Sequence, residues 1–574
     1  MAGFADRCLG SSATDLALFG KVVNVYTGNI SESYVGIKGG RVAYLGTNPI
    51  SAKNLIKLDS EYIVPGYIDG HVHIESSLMT PSRFAETVVP RGTCCIVADP
   101  HEIANVRGVD GIRFMMHNSL KAQLRVYFMI PSCVPATHLE TSGAEIGLKE
   151  TKKLRRLRRV LGLGEVMNFQ GVINCDKAIL DKIGACRGLV IDGHAPGLKS
   201  EELCAYVSAG IGSDHESVAE DEAREKLSLG MWIMIREGST AKNLSALTGI
   251  VSKGSPERLM LVTDDRHAED LLTEGHMDDC LRKAVEEGID PVDAVRMATL
   301  KPAEYFGLPN QGGIAPGKWA DMVVLNNLKE FGAKIVLIGG KVVAKDGRYL
   351  ASIKKPLCEE AMMRTLNVRE MQPEDFRIPC HRKESRAKVT MRVIGLIQNQ
   401  IVTEELRCKM EVRKGEVQTD PERDILKICV VERHRGTGRI GKGFVKGFEL
   451  NEGALASTIA HDSHNIVAVG SSDAAICMAV NRLRKTGGGI VIADETGILK
   501  ELQLPIAGLM ATLDALSISK VTRELKEVSA TLGCRLRDPF MSLSFLTLPV
   551  IPELKITDYG LIDVNRNKVV DLFV

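Results

Sequence analysis

Several large functional classes are excluded by what this chain does not contain. Its 14 cysteines in 574 residues form no C-x-x-C pair, and only Cys94 and Cys95 are adjacent. That argues against a disulfide framework or a zinc ribbon, and it fits a reducing cytoplasm. No uninterrupted apolar run approaches the roughly 20 residues that span a bilayer. The opening segment, MAGFADRCLGSSATDLALFG, lacks the basic start and long apolar core of a secretory leader. A soluble cytoplasmic protein is expected. Neither sign of charge is in excess: 73 basic residues stand against 72 acidic ones, a net charge of +1. Nothing global therefore marks nucleic acid or an anionic membrane as a partner, and a small-molecule substrate is expected. There is no G-x-x-x-x-G-K-[ST] phosphate loop, and no P-C-x-x-C follows an H-x-E as in zinc deaminases that act on flipped bases.

What the chain does contain is a series of eight short apolar runs between Tyr62 and Asp265: YIVPGYID, CCIVAD, RVYFMI, GLGEVM, LVIDG, IGSD, WIMIR and LMLVTD. Helical patterns at 82–89 and 201–209 lie among these runs and others at 278–287 and 291–299 follow them, so β and α units alternate. Eight strands are the number a closed β/α barrel needs. At the C-terminal ends of several runs sit Asp69-Gly-His71-Val-His73, Asp99-Pro-His101-Glu102, Glu165, Asp192-Gly-His194, Ser213-Asp-His215-Glu216 and Thr263-Asp264-Asp265. Strand ends converge on one face of such a barrel, so donors distant in sequence become neighbours.

The flanks alternate instead. LFGKVVNVYTGNI and SYVGIKGGRVAYLG precede the barrel runs, and WADMVVLNNL and AKIVLIGGKVVAKDGRYL follow them. Neither piece has enough strands for a sheet of its own, so residues 1–64 and 312–355 are expected to form one small composite β-sandwich, interrupted by a (β/α)8 TIM-like barrel over 65–311. After a proline-punctuated linker, EEAMMRTLNVREMQPEDFRIPCHRKESR, residues 375–574 read as an α+β domain, with a helix capped at Ser471 or Ser472 and stopped by Gly487.

Residues i and i+2 of a strand point the same way, so His71 and His73 can grip one ion. Followed at barrel spacing by Glu165, His194, His215 and Asp264, the pair becomes part of a donor set that isolated buried histidines do not explain. The segments PGYIDGHVHIESS, GHAPGL, SDHES, LVTDDRHAEDLLTEGHMD and GGIAPGKWADMVVLN resemble the amidohydrolase superfamily. The tail KGFELNEGALASTIAHDSHNIVAVG extends the resemblance, to the branch that deaminates free adenine, over nearly the whole chain. The resemblance implies that His71 and His73 bind one divalent ion, that His194 and His215 bind a second and that Asp264 completes the first. Manganese is expected ahead of iron or zinc. It also implies hydrolysis of adenine to hypoxanthine and ammonia in purine salvage, with adenine and water as partners, and a homodimer or larger homo-oligomer.

Many superfamily members bridge their two metals with a carboxylated lysine, whereas this chain has Glu165 in Gly-Leu-Gly-Glu-Val-Met. A carboxylate can serve one metal with each oxygen, and a bridged pair would hold a hydroxide of near-neutral pKa as nucleophile. Asp264 is expected to carry the proton to the substrate. Glu75 is a candidate for protonating a ring nitrogen, and His101, Glu102 and Asp265 are candidate substrate contacts. The His461–Asn465 loop reads either as a lid or as a plain turn, and the basic run at 152–159 as a solvated helix face. Two alternatives remain: a cyclic amide hydrolase, which would ordinarily use the absent lysine, and a catalytically silent scaffold, disfavoured because every ligand position is occupied.

Overall fold

The structure, a computed structural model, describes residues 13–251, 257–352, 360–380, 388–398 and 400–574. The opening segment, where it covers residues 1–12, and the linker, where it overlaps 353–359 and 381–387, lie outside the described residues. The chain forms two compact units: Met1–Pro100, Phe114–Ser132 and Gly147–Pro356 in the first, and His101–Arg113, Cys133–Ile146 and Leu357–Val574 in the second.

The first unit opens with β1 (Leu16–Val23), β2 (Ile30–Lys38), β3 (Arg41–Gly46) and β4 (Leu55–Pro65). The apolar runs then supply β5 (Tyr67–His73), β6 (Thr93–Ala98), β7 (Arg125–Ile130), β8 (Val160–Val166), β9 (Val190–Gly193), β10 (Ser213–Asp214), β11 (Trp232–Arg236) and β12 (Leu259–Val262), with β13 (Asp264–Asp265) directly after. The unit closes with β14 (Met322–Leu325), β15 (Ala333–Ile338), β16 (Lys341–Lys345) and β17 (Arg348–Tyr349).

Every residue of β5, β6 and β12 is buried. A continuous apolar run, rather than an alternating one, suits a parallel strand covered on both faces. Two parallel sheets result, one of six strands in the order β13-β5-β6-β7-β8-β9 and one of three in the order β10-β11-β12. Helices lie between their strands, among them Pro81–Val88 and Ser200–Ser208, and Met277–Glu286 and Pro291–Met297 follow β13. The terminal strands join across the intervening 250 or so residues into a single eight-stranded sheet, β17-β16-β15-β14-β4-β1-β2-β3. Its seam is β4, parallel to β1 and antiparallel to β14. Leu18, Val35, Ile63, Met322, Val324 and Leu337 share one buried core there.

In the second unit a nine-stranded sheet carries the helix Asp473–Thr486. The Ser472 side chain accepts the Ala475 N–H to cap the helix, and Gly487 ends it at φ +79°, a left-handed conformation for which glycine has no Cβ penalty. The helix buries Ala475, Ile476, Ala479, Val480 and Leu483 against Cys429, Ala456, Ala468 and Val491. Among the described residues no helix is long and apolar enough to cross a membrane.

Candidate metal centre

His71 and His73 share the C-terminal end of β5, both buried. β13 pairs with β5 in parallel and puts Asp264 opposite Val72. Asp264 Oδ1 thereby lies 3.1 Å from His73 Nε2 and 3.5 Å from His71 Nε2. The Asp264 backbone stands at φ +60°. Aspartate tolerates that left-handed region better than most residues, though it still costs about 1 kcal/mol.

Glu165, near the end of β8, divides its two oxygens. Oε1 lies 3.3 Å from His73 Nε2, while Oε2 lies 2.8 Å from His194 Nδ1 and 3.3 Å from His215 Nε2. The two imidazole pairs are themselves neighbours, for the His71 and His215 rings stack at 4.3 Å. Groups such as His71, His73 and Glu165, or Glu165, His194 and His215, each offer ligand atoms within 4.8 Å of one another. Imidazole nitrogens and carboxylate oxygens in this number suit a divalent manganese, iron or zinc ion.

Supporting contacts aim these donors. His73 Nδ1 lies 2.9 Å from the Asp99 carbonyl oxygen and donates to it, which leaves the Nε2 lone pair for the centre. Tyr206 accepts the His194 N–H and donates its hydroxyl to the Val166 carbonyl, tying the ends of β8 and β9 together. Asp69 accepts the N–H groups of His71 and Thr263 and so joins β5 to the loop before Asp264. Gly164 lets the Asp99 carboxylate approach, since a Cβ there would stand 1.9 Å from Asp99 Oδ2.

Burial disfavours every charge in the centre, and the carboxylates stay ionised only because cations face them. Burial would raise Glu165, but His194 and His215 hold it well below the usual carboxylate range. His71, His73 and Arg236 do the same for Asp264. In return Glu216 and Glu165 lift His194 to about 9 against its own desolvation. Asp99, pushed up by burial and by Glu165, reaches about 7. A divalent ion held by these donors would meet the same carboxylate charge.

Beside the centre stand Glu216, which closes the motif Ser213-Asp-His215-Glu216 but was given no role of its own, and Arg236, which went unread in the sequence. Glu216 Oε1 lies 3.4 Å from His215 Nε2 and 3.7 Å from His194 Nδ1, and Arg236 pairs with both Glu216 and Asp264. The adjacency of Glu216 to His215 was a usable signal; an arginine at a strand end is too common to be one. Glu75 lies buried in the turn Ile74–Ser77 just past His73, and Asp265 accepts a short hydrogen bond from the Ser76 hydroxyl. His101 and Glu102 open the helix His101–Ser119 within the second unit. There Glu102 lies 3.1 Å from His461 Nδ1 and 2.8 Å from His464 Nε2. His464 Nδ1 accepts the Ala460 N–H, so in the neutral ring the proton sits on Nε2 and points to Glu102. Glu102, His461 and His464 also offer ligand atoms within 4.8 Å of one another.

Residues 62–343 match the amidohydrolase family, and residues 400–568 match the adenine deaminase C-terminal domain. "Adenine deaminase 2" of Carboxydothermus hydrogenoformans is 44% identical over 98% of this chain and 97% of its own length. The adenine deaminases of Desulfatibacillum aliphaticivorans and Archaeoglobus fulgidus are each 46% identical over 96% of this chain, and over 96% and 94% of their own lengths. The chain belongs to the adenine deaminase family of the amidohydrolases.

Proposed function

We propose that this protein hydrolyses adenine to hypoxanthine and ammonia at a centre of two divalent ions, manganese by preference. The observation that carries the reading is Glu165, whose two oxygens face different imidazole groups; family membership supplies the substrate. His71, His73 and Asp264 would hold one ion, His194 and His215 the other, with Glu165 between them. When bound, such ions supply Lewis acidity that activates water at neutral pH. Asp264 carries the proton from water to the substrate, as a carboxylate placed beside both can. Glu75, buried just past His73, protonates the ring nitrogen, and Asp265, oriented by Ser76, faces the substrate.

The two parallel sheets are read as the arcs of one eight-stranded barrel over 65–311. In support, Ile68, Val97 and Met129 from one sheet share a core with Met234, Met260 and Val262 from the other. The Gly212 N–H also donates to the Ile191 carbonyl between β9 and β10. Residues 1–64 and 312–355 would then be the composite β-sandwich, its single sheet curling over its own core, and 375–574 the C-terminal α+β domain. We place the reaction in the cytoplasm, where buried thiols such as Cys94 and Cys95 stay reduced.

The test is ammonia release by manganese-reconstituted protein from adenine, adenosine, cytosine and dihydroorotate. Adenine should be turned over with the highest efficiency, because a pocket built to hydrogen-bond one base leaves polar groups unpaired around another. Better turnover of adenosine or dihydroorotate overturns the assignment.

A further inference from the structure

Arg236 ends β11 and is 8% exposed. A guanidinium is costly to bury unless its donors are met, and here two carboxylates from different strand ends meet those of Nη1 and Nη2, while Nε is buried without a hydrogen-bond partner. Nη1 lies 2.9 Å from Asp264 Oδ2 and also reaches Glu216 Oε1, while Nη2 lies 3.1 Å from Glu216 Oε2. The remaining oxygen of Asp264, Oδ1, is the one that faces His73 at 3.1 Å. Glu216 Oε1 stands 3.4 Å from His215 Nε2. One cation therefore touches a carboxylate beside each imidazole pair.

A carboxylate free to rotate would interchange its two oxygens, whereas one gripped at Oδ2 keeps Oδ1 toward the imidazoles. We propose that Arg236 is a positioning residue that clamps Asp264 and Glu216 together, so that Asp264 presents a single fixed oxygen to the ion held by His71 and His73. The inference rests on the two-ion reading. The Asp264 backbone, at φ +60°, agrees with it: a non-glycine residue keeps such a conformation only where its surroundings over-determine it. Arg236 is one of those determinants.

The test needs no adenine. Metal-free protein is titrated calorimetrically with Mn2+ alone, and wild type should take up two ions. Arg236→Met, with its fold checked by cooperative melting, should bind one of the two at least about tenfold more weakly, the scale on which partners behind a metal ligand act. Asp264→Asn should weaken the same ion. The double variant should bind no worse than Asp264→Asn, because the clamp then has nothing to position. Arg236→Lys, which restores the charge but not the planar fork, should recover part of the loss. Unchanged affinity in both Arg236 variants, or fully additive losses in the double variant, overturns the inference. If Arg236→Met does not fold, Arg236→Lys and Glu216→Gln decide on the same readout, weakened binding supporting the clamp and wild-type binding in both refuting it. Failure of wild type to take up two ions would instead overturn the two-ion reading.

Discussion

The two oxygens of Glu165 serve different imidazole groups, so replacing one with an amide should undo the centre while leaving the strand intact. On the two-ion reading proposed above, Glu165→Gln should keep its fold, lose at least one of the two ions and lose about 100-fold or more in activity, since the amide cannot supply the negative charge that a bridge needs. Elemental analysis alongside ammonia release checks this; two ions and full turnover in the variant would reduce Glu165 to a bystander. Gly164 makes the neighbouring case. A Cβ there would stand 1.9 Å from Asp99 Oδ2, so Gly164→Ala should cost about 1–3 kcal/mol, read by denaturant unfolding. The donors themselves were legible in sequence because imidazole pairs and acids at strand ends are rare in combination. Of the residues that aim them, Asp69 was visible only as part of the motif Asp69-Gly-His71-Val-His73, and Tyr206 and Arg236 were not visible at all. A tyrosine within a helix and an arginine at a strand end have many uses, and only contact with a ligand distinguishes this one.

At the scale of the element, two buried lysines show how a short strand is held. β10 has only two residues, Ser213 and Asp214, just before His215. Lys226, fully buried on the helix Glu220–Ser228, reaches across to Asp214 at 2.9 Å, Glu222 at 2.7 Å and the Ala195 carbonyl at 2.8 Å. Lys226→Met leaves two carboxylates buried without their cation. It should therefore destabilise the protein by about 3–5 kcal/mol, measured by urea unfolding, and loosen His215 with it. Loss of under 1 kcal/mol would mean that β10 is held by other contacts. Lys555, on the strand Leu554–Thr557, donates instead to two carbonyls, Ile401 at 2.7 Å and Phe545 at 3.1 Å. Burial pushes it down to about 7. Between there and the ordinary lysine range near 10.4 the unfolded chain binds the proton and the folded chain does not, so stability rises with pH by up to about 1.4 kcal/mol per unit. Below pH 7 both states are protonated and the contribution is flat. Relative to wild type, Lys555→Met should lose that rise between pH 7 and 9; parallel stability curves for the two proteins would refute it.

For the molecule as a whole, the periodicity of the sequence carried the local elements further than the way they assemble. Eight apolar runs became eight strands because uninterrupted burial and alternation leave different patterns, and the Ser472 to Gly487 helix was marked at both ends by its caps. What could not be read was that the chain leaves the first unit twice, at His101–Arg113 and Cys133–Ile146, to contribute to the second. Those segments carry no compositional boundary, since their apolar residues look like any other core. Ile103, Ala104, Val106, Val134, Leu139 and Ile146 are all buried. Their polar anchors also lie in the second unit: Thr141 donates its N–H and hydroxyl to Asp558, and Thr557 donates its hydroxyl to the Leu139 carbonyl. A chain ending at Pro356 would keep both excursions and remove what they pack on, exposing apolar side chains worth about 1.5–3 kcal/mol each when fully buried. Several such losses exceed the whole stability of a typical domain, about 5–15 kcal/mol. The shortened chain should accordingly be recovered as aggregate, or as soluble protein without a cooperative melt, under conditions where the full chain melts cooperatively. Soluble shortened protein with a sharp transition and two bound ions would show that the first unit folds independently of the segments it lends.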